Sequence, residues 1–316
     1  MSKSRLQRRG THSAENLSLP PIPRVLPRIL SRLHAAEFVD KEDILAVMEC
    51  DPTLEERILS YINSQLPRIV GDVGQAVRMV GPTTAAGIVI RLSMSKLNVL
   101  RRKTAGSSVR QLIQHSEATA ILARHLLCRQ RPEPAAQTGD SEDQDLAQTA
   151  FAKGFVHDLG KLVLIYNNPE RGAALYGDNW IERTPEEVSE RAVEQRAFGC
   201  DHTEAGAYVA TEIGLPAGLV SVMATHHDAD ASATDISDSR DLRAVRTANL
   251  ATKAMGTKFS GLHAQDVSLD WDACVRHPEW FHWGSSSSAA PETLEQEDFV
   301  LYSEFFLENL SGAVLA

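Results

Sequence analysis

The chain has 316 residues, 43% of them hydrophobic and 6% aromatic, and a formal net charge of −10. That is enough for one large or two modest domains around a sizeable core, and the acidic balance disfavours general nucleic-acid binding. Four scattered cysteines without a Cys-x-x-Cys pair argue against a disulfide framework, and no apolar run approaches the roughly 20 residues of a membrane span, so a cytoplasmic protein with no membrane contact is expected.

Residues 1–16 are polar, with Lys3, Arg5, Arg8 and Arg9, and lack the apolar segment of a secretion signal. A disordered tail is expected there. Leu19-Pro20-Pro21-Ile22-Pro23 then forces an extended lead-in. Val25, Leu26, Ile29, Leu30 and Leu33 recur at helical spacing, and Ile44, Leu45, Val47 and Met48 predict a second helix over 41–49. Asp51-Pro52 opens the next, with Leu54, Ile58, Leu59 and Ile62 as its buried stripe and Asn63-Ser64 at its end. Asp51, Arg57 and Asn63 are better explained by capping and inter-helix hydrogen bonds than by a ligand site. Residues 72–100 read as two helices divided by Gly81-Pro82.

Val109, Leu112, Ile113, Ser116, Ala120, Ala123 and Leu127 follow a helical period, with His115 beside them. Alone, His115 would read as a hydrogen-bonded core residue. Residues 130–147 are proline- and acid-rich and predict a solvated insertion. A polar helix is expected over 184–200, starting at Thr184-Pro185. Asp201 is expected to cap the following helix and place His202 in its first turn. Gly214-Leu215-Pro216 stops that helix, and a short one ends at His226-His227-Asp228. Residues 229–241 read as polar loop. A further helix carries Val245, Ala248 and Asn249. Residues 284–297 read as linker and Phe299–Leu310 as a terminal helix. No strand pattern, repeat or phosphate-binding glycine loop is visible, so the fold class is all-α.

The chemistry concentrates in Gly154-Phe155-Val156-His157-Asp158-Leu159-Gly160-Lys161-Leu162-Val163-Leu164-Ile165. A carboxylate inside so apolar a run needs a metal, a cation or a hydrogen-bond network beside it, since an unpaired buried charge is costly. His115 lies upstream, and His202, His226 and His227 downstream. Imidazoles with one carboxylate suit Mn, Fe, Ni or Zn. Their separation puts them on different helices, which must pack around one cleft if the donors are to meet.

The ordered set resembles the HD superfamily of metal-dependent phosphohydrolases, and most closely its HDOD branch. The resemblance rests on Leu19-Pro20-Pro21-Ile22-Pro23 and on Asp51-Pro52-x-Leu54-x-x-Arg57-x-Leu59-x-x-x-Asn63-Ser64. It continues through Ala76-Val77-x-x-Val80-Gly81, His115-Ser116-x-x-Thr119-Ala120 and Gly154-Phe155-Val156-His157-Asp158-Leu159-Gly160-Lys161. Phe198-Gly199-x-Asp201-His202-x-x-x-Gly206, Leu215-Pro216 and His226-His227 complete it. It implies an HDOD domain over 17–256, divided into an N-terminal helical part (17–100) and an HD-like helical core (101–256). A C-terminal extension over 257–316 would follow, with Trp271, Trp280, Phe281 and Trp283 covering the core. The implied metal set is His115, His157, Asp158, His202, His226 and His227, with Asn249 where the superfamily has an aspartate.

Two functions are open at this point. The resemblance implies a bacterial signalling or regulatory module whose partners are other signalling proteins, with or without a divalent metal. Asn249 supports it, as does Asp228-Ala229-Asp230-Ala231 in place of the Gly-Tyr-Pro of cyclic-di-nucleotide phosphodiesterases. The alternative is a metal-dependent phosphohydrolase or phosphodiesterase acting on a nucleotide or cyclic di-nucleotide. There Asp158 would bridge metals and Lys161 would meet a substrate phosphate. A nucleotide sensor without turnover is the third reading. The plain reading of Lys161 is a solvated or salt-bridged surface lysine, and that of His227 a residue facing solvent, since successive helix residues point about 100° apart.

Overall fold

The computed structural model describes residues 14–22, 25–35, 52–65, 69–80, 82–94, 106–129, 141–176, 190–227 and 240–254, and among these there are helices and turns but no strand. The helices expected over 41–49 and Phe299–Leu310, the start at Thr184-Pro185, the linker over 284–297, and the four aromatic residues of the C-terminal extension lie outside the described residues.

The N-terminal part holds α1 (Val25–His34), α2 (Pro52–Gln65), α3 (Val73–Val80) and α4 (Pro82–Met94). The stripe read from sequence is the buried one, with Leu26, Ile29, Leu30, Leu33, Leu54, Ile58 and Ile62 all in the core. Arg57 Nη2 donates to Leu92 O at 3.0 Å, and Asn63 both donates to Val70 O and accepts from Val70 N. These two residues tie helices and turns together, as expected. Ala14–Asn16, at the end of the expected disordered tail, forms instead a short 3-10 turn. Ala14 and Leu17 pack on the core, and that apolar contact orders the turn.

The remainder holds α5 (Gly106–Arg129), α6 (Ser141–Val156), α7 (Leu159–Asn167), α8 (Pro169–Leu175), α9 (Glu190–Phe198), α10 (His202–Glu212), α11 (Ala217–Thr225) and α12 (Arg240–Ala254). Residues 141–147, expected as the end of a solvated insertion, are the opening turns of α6. Residues 240–241, expected as loop, likewise belong to α12.

The HD-like part is organised by α5, α6 and α12, which pack on one another, while α10 packs on α7 and α11. Two glycines set the spacing. A Cβ on Gly154 would stand 2.7 Å from Ala120 Cα, and one on Gly160 would stand 1.8 Å from His202 O. Only glycine lets α6 approach α5, and α7 approach α10, this closely. The second contact brings His202 to Asp158. Lys153 and Asp241 join α6 to α12 at 2.6 Å. Arg91 joins the N-terminal part to α5 through Glu117 at 3.2 Å.

Candidate metal centre

The donors foreseen in sequence come from four places in the fold and meet in one pocket. His115 projects from α5, His157 and Asp158 from the turn between α6 and α7, His202 from the first turn of α10, and His226 and His227 from the end of α11. Asp158, His157 and His202 are fully buried, and His115 and His226 are nearly so. Two overlapping groups share Asp158: Asp158 with His202, His226 and His227, and Asp158 with His115 and His157. Within each group the donor atoms lie within 4.8 Å of one another.

Local structure fixes the rings. Asp201 caps α10, accepting from Thr203 N and Glu204 N while Glu204 reaches back to Asp201 N. This capping box holds His202 in the first turn. His202 Nδ1 lies 2.5 Å from Glu194 Oε2, His157 Nδ1 2.7 Å from Gly154 O, and His226 Nδ1 3.0 Å from Val222 O. Each acceptor requires the proton on Nδ1, which leaves Nε2 of the neutral ring as a lone pair turned into the pocket. Carboxylate and carbonyl partners of this kind orient metal-binding histidines.

Asp158 contacts His202 and His226 through Oδ1 at 3.5 Å each, and His115 and His157 through Oδ2 at 3.5 and 3.4 Å. These are electrostatic contacts too long for good hydrogen bonds. Asp158 Oδ1 and His157 Nε2 accordingly have no hydrogen-bond partner among the described residues. Burial would raise the Asp158 carboxyl, but Lys161 and His157 outweigh it and hold it well below the usual carboxylate range. Burial, helped by His227, pushes His226 well below the usual imidazole range.

The plain readings of Lys161 and His227 give way, while Asn249 stands where it was placed. Lys161 is not at the surface: it is 1% exposed, held between Asp158 Oδ2 at 2.8 Å and Glu190 Oε1 at 2.7 Å. Burial alone would lower its ammonium, but Asp158 and Glu190 outweigh it and keep Lys161 above the ordinary lysine range. His227 does not point away. It lies two residues past the end of α11, and its Nε2 lies 3.0 Å from His202 Nε2. Asn249, in the late-helix position, meets His115: its Oδ1 lies 3.1 Å from His115 Nε2.

The sequence reading missed Glu194 and Tyr176. Glu194 is fully buried and accepts from His202 N at 2.9 Å and from the Tyr176 hydroxyl at 2.7 Å. Glu190 and Glu194, four residues apart, lie on one face of α9, a signal hidden in a helix read simply as polar. Burial and Glu194 push the Tyr176 phenol well above its usual range.

An uncompensated carboxylate oxygen, several inward lone pairs and carboxylate-oriented imidazoles fit a divalent transition metal. Beside them a small cavity is lined by Ser108, Gln111, His115, Lys161 and Tyr176. Its volume is about 30 Å³, room for about two waters.

The comparisons agree with this architecture. A model of the HDOD domain matches residues 19–229. An HDOD domain protein from Geobacter sulfurreducens superposes with a TM-score of 0.59 at 16% identity, over 94% of this chain and 91% of that one. A protein from Shewanella amazonensis SB2B, provisionally called a phosphohydrolase, gives 0.56 at 16% identity, over 97% and 100%. One from Marinobacter aquaeolei VT8, provisionally called a signal transduction protein, gives 0.54 at 17% identity, over 99% of this chain and 62% of that one. At these identities the likeness concerns the fold. No curated protein matches the chain in sequence.

Proposed function

Because the chain belongs to the HDOD family, whose domain model spans residues 19–229, we propose that it is a bacterial signalling or regulatory module. It acts through contacts with other signalling proteins and carries a divalent metal in its helical core. The observation that carries this reading is the state of Lys161. A hydrolytic centre would need that cation to meet a substrate phosphate. Here its charge is taken by Asp158 and Glu190, both within 2.8 Å. Asn249, hydrogen-bonded to His115, adds no anionic charge to the centre. The provisional signalling name of the Marinobacter neighbour is in keeping with the same reading.

A second reading is favoured by the convergence of the donors themselves. As a phosphohydrolase or phosphodiesterase on a nucleotide or cyclic di-nucleotide, the chain would hold its metal through His115, His157, Asp158 and His202. The metal would supply an acidified bound water. Lys161 would then have to leave Glu190 to bind a phosphate oxygen. The provisional name of the Shewanella neighbour points the same way.

The test is hydrolysis of cyclic di-nucleotides and of a generic phosphodiester by metal-loaded protein, beside a His157→Ala, Asp158→Ala control. The regulatory reading expects equal rates in both. Turnover that disappears in the control would replace it with the hydrolase reading.

A further inference from the structure

Residues 14–18 precede the HDOD match, which begins at residue 19, yet they are folded onto the domain. Ala14–Asn16 forms a 3-10 turn that rests on α10, closed by a bond from Leu17 N to Ala14 O at 3.0 Å. Ala14 and Leu17 are partly buried against the core. Glu15, Asn16, Ser18 and Leu19 are exposed, Leu19 at 39%. Pro20 is buried and marks where the chain enters the domain.

The hold on Ser18 is of a particular kind. Asn167, the last residue of α7, accepts from Ser18 N through Oδ1 at 2.8 Å and donates from Nδ2 to Ser18 O at 2.9 Å. A bond from Nδ2 to Val163 O, also 2.9 Å, fixes the amide on the end of its helix. The carboxamide thus takes the part of a neighbouring strand, meeting both backbone groups of one residue. Such recognition takes no account of the Ser18 side chain. Selectivity falls to the small residue at 14 and the leucine at 17. Ser18 is held by α7 and the turn by α10, so the segment straddles two helices that pack on each other. Both bonds to Ser18 are solvent-exposed and Leu17 is only partly buried, so the segment is weakly held.

Resting on the reading of a module that works through contacts with other proteins, we propose that this face of α7 and α10 is a peptide-docking site, occupied at rest by the chain's own residues 14–18. The partner is a segment that supplies a small residue, a leucine three positions on and a free backbone N–H directly after it. It displaces residues 14–18 by making the same contacts in their place. The chain's own segment defines that chemistry, because it is the sequence seen to fit. Being tethered, it competes at an effective concentration on the order of millimolar, which sets a threshold that the partner must exceed.

The experiment uses the full-length protein and a fluorescent synthetic peptide of residues 11–22, with binding followed by anisotropy. Leu17→Asp in the protein removes the resting occupant's apolar anchor and leaves the docking face intact. The peptide is expected to bind that variant about tenfold or more tightly than it binds wild type. A peptide carrying Leu17→Asp, or one N-methylated at Ser18, is expected to lose binding, since each lacks one of the contacts. In ¹⁵N-labelled wild type, saturating unlabelled peptide is expected to speed hydrogen exchange at the Ser18 amide, a readout that needs no variant to fold. Equal affinity for wild type and variant, undiminished binding of the N-methylated peptide, or unchanged exchange at Ser18 would each overturn the proposal. A concentration-dependent wild-type dimer that Leu17→Asp abolishes would also overturn it, assigning the face to a second copy. Phosphodiester turnover by metal-loaded protein would instead defeat the regulatory reading while leaving the docking site in place.

Discussion

At the scale of single residues, the centre combines one strongly held carboxylate with the lysine that neutralises it. Lys161→Ala would leave Asp158 and Glu190 without their shared cation at a site where Asp158 is fully buried. Breaking a buried pair in this way costs about 3–5 kcal/mol. Urea denaturation of the metal-free variant should show a loss of that size, and a loss below about 1 kcal/mol would place Lys161 in a solvated environment. His115, His157, Asp158, His202, His226 and His227 were legible in sequence because imidazoles and a lone carboxylate are conspicuous among apolar residues. The burial of Lys161 was not, since its second partner, Glu190, lies in a helix with no chemical signature. Glu194 was illegible for the same reason: a carboxylate on a polar helix looks solvated until the fold brings a histidine to it.

At the scale of elements, close approach of backbones does the positioning. Gly160→Ala would drive a methyl into His202 O, which lies 1.8 Å from the ideal Cβ. The helices must part, so a loss of at least about 1–3 kcal/mol is expected in thermal or urea unfolding, together with weaker metal binding. Retained affinity would show that α7 and α10 need not approach to build the centre. The α1 helix gives a pH dependence. Burial, reinforced by Lys153 and opposed by Asp241, lowers His34 below its ordinary 6.5. The folded state therefore prefers His34 neutral. Its contribution is present above pH 6.5 and is lost as pH falls through the lowered folded value. His34→Gln should flatten the stability curve of the protein between about pH 7 and pH 5.5, measured by urea unfolding. An unchanged slope would show that His34 stays accessible to protons. Helix stripes, the Asp201 cap and the stop at Gly214 were readable because each is written in local sequence. The start of α6 at Ser141 was not: its acidic opening turns look like solvated chain, and only the packing of Ala147, Ala150 and Phe151 makes them helix.

At the scale of the whole molecule, the proposed metal would link the helices that bring Asp158 and the histidines together. A ligand that binds only the folded state stabilises it by about 2.7 kcal/mol at a hundredfold excess over its Kd. Chelation should therefore lower the melting temperature, and restoring the metal should recover it. A melting temperature indifferent to chelator would mean that the donors hold together without an ion. The ordered motifs carried the all-α class and the HDOD assignment, because spacing along the chain survives where overall identity to known structures is only 16–17%. The oxygen of Asp158 that faces Lys161 could not be read that way, since it depends on the packing around the buried pair.

Anomalous X-ray diffraction from crystals grown with Zn²⁺ tests the central claim most directly. The account predicts a strong peak in the pocket, about 2.0–2.2 Å from an Asp158 carboxylate oxygen and from ring nitrogens of the surrounding histidines. No peak in the pocket would contradict it.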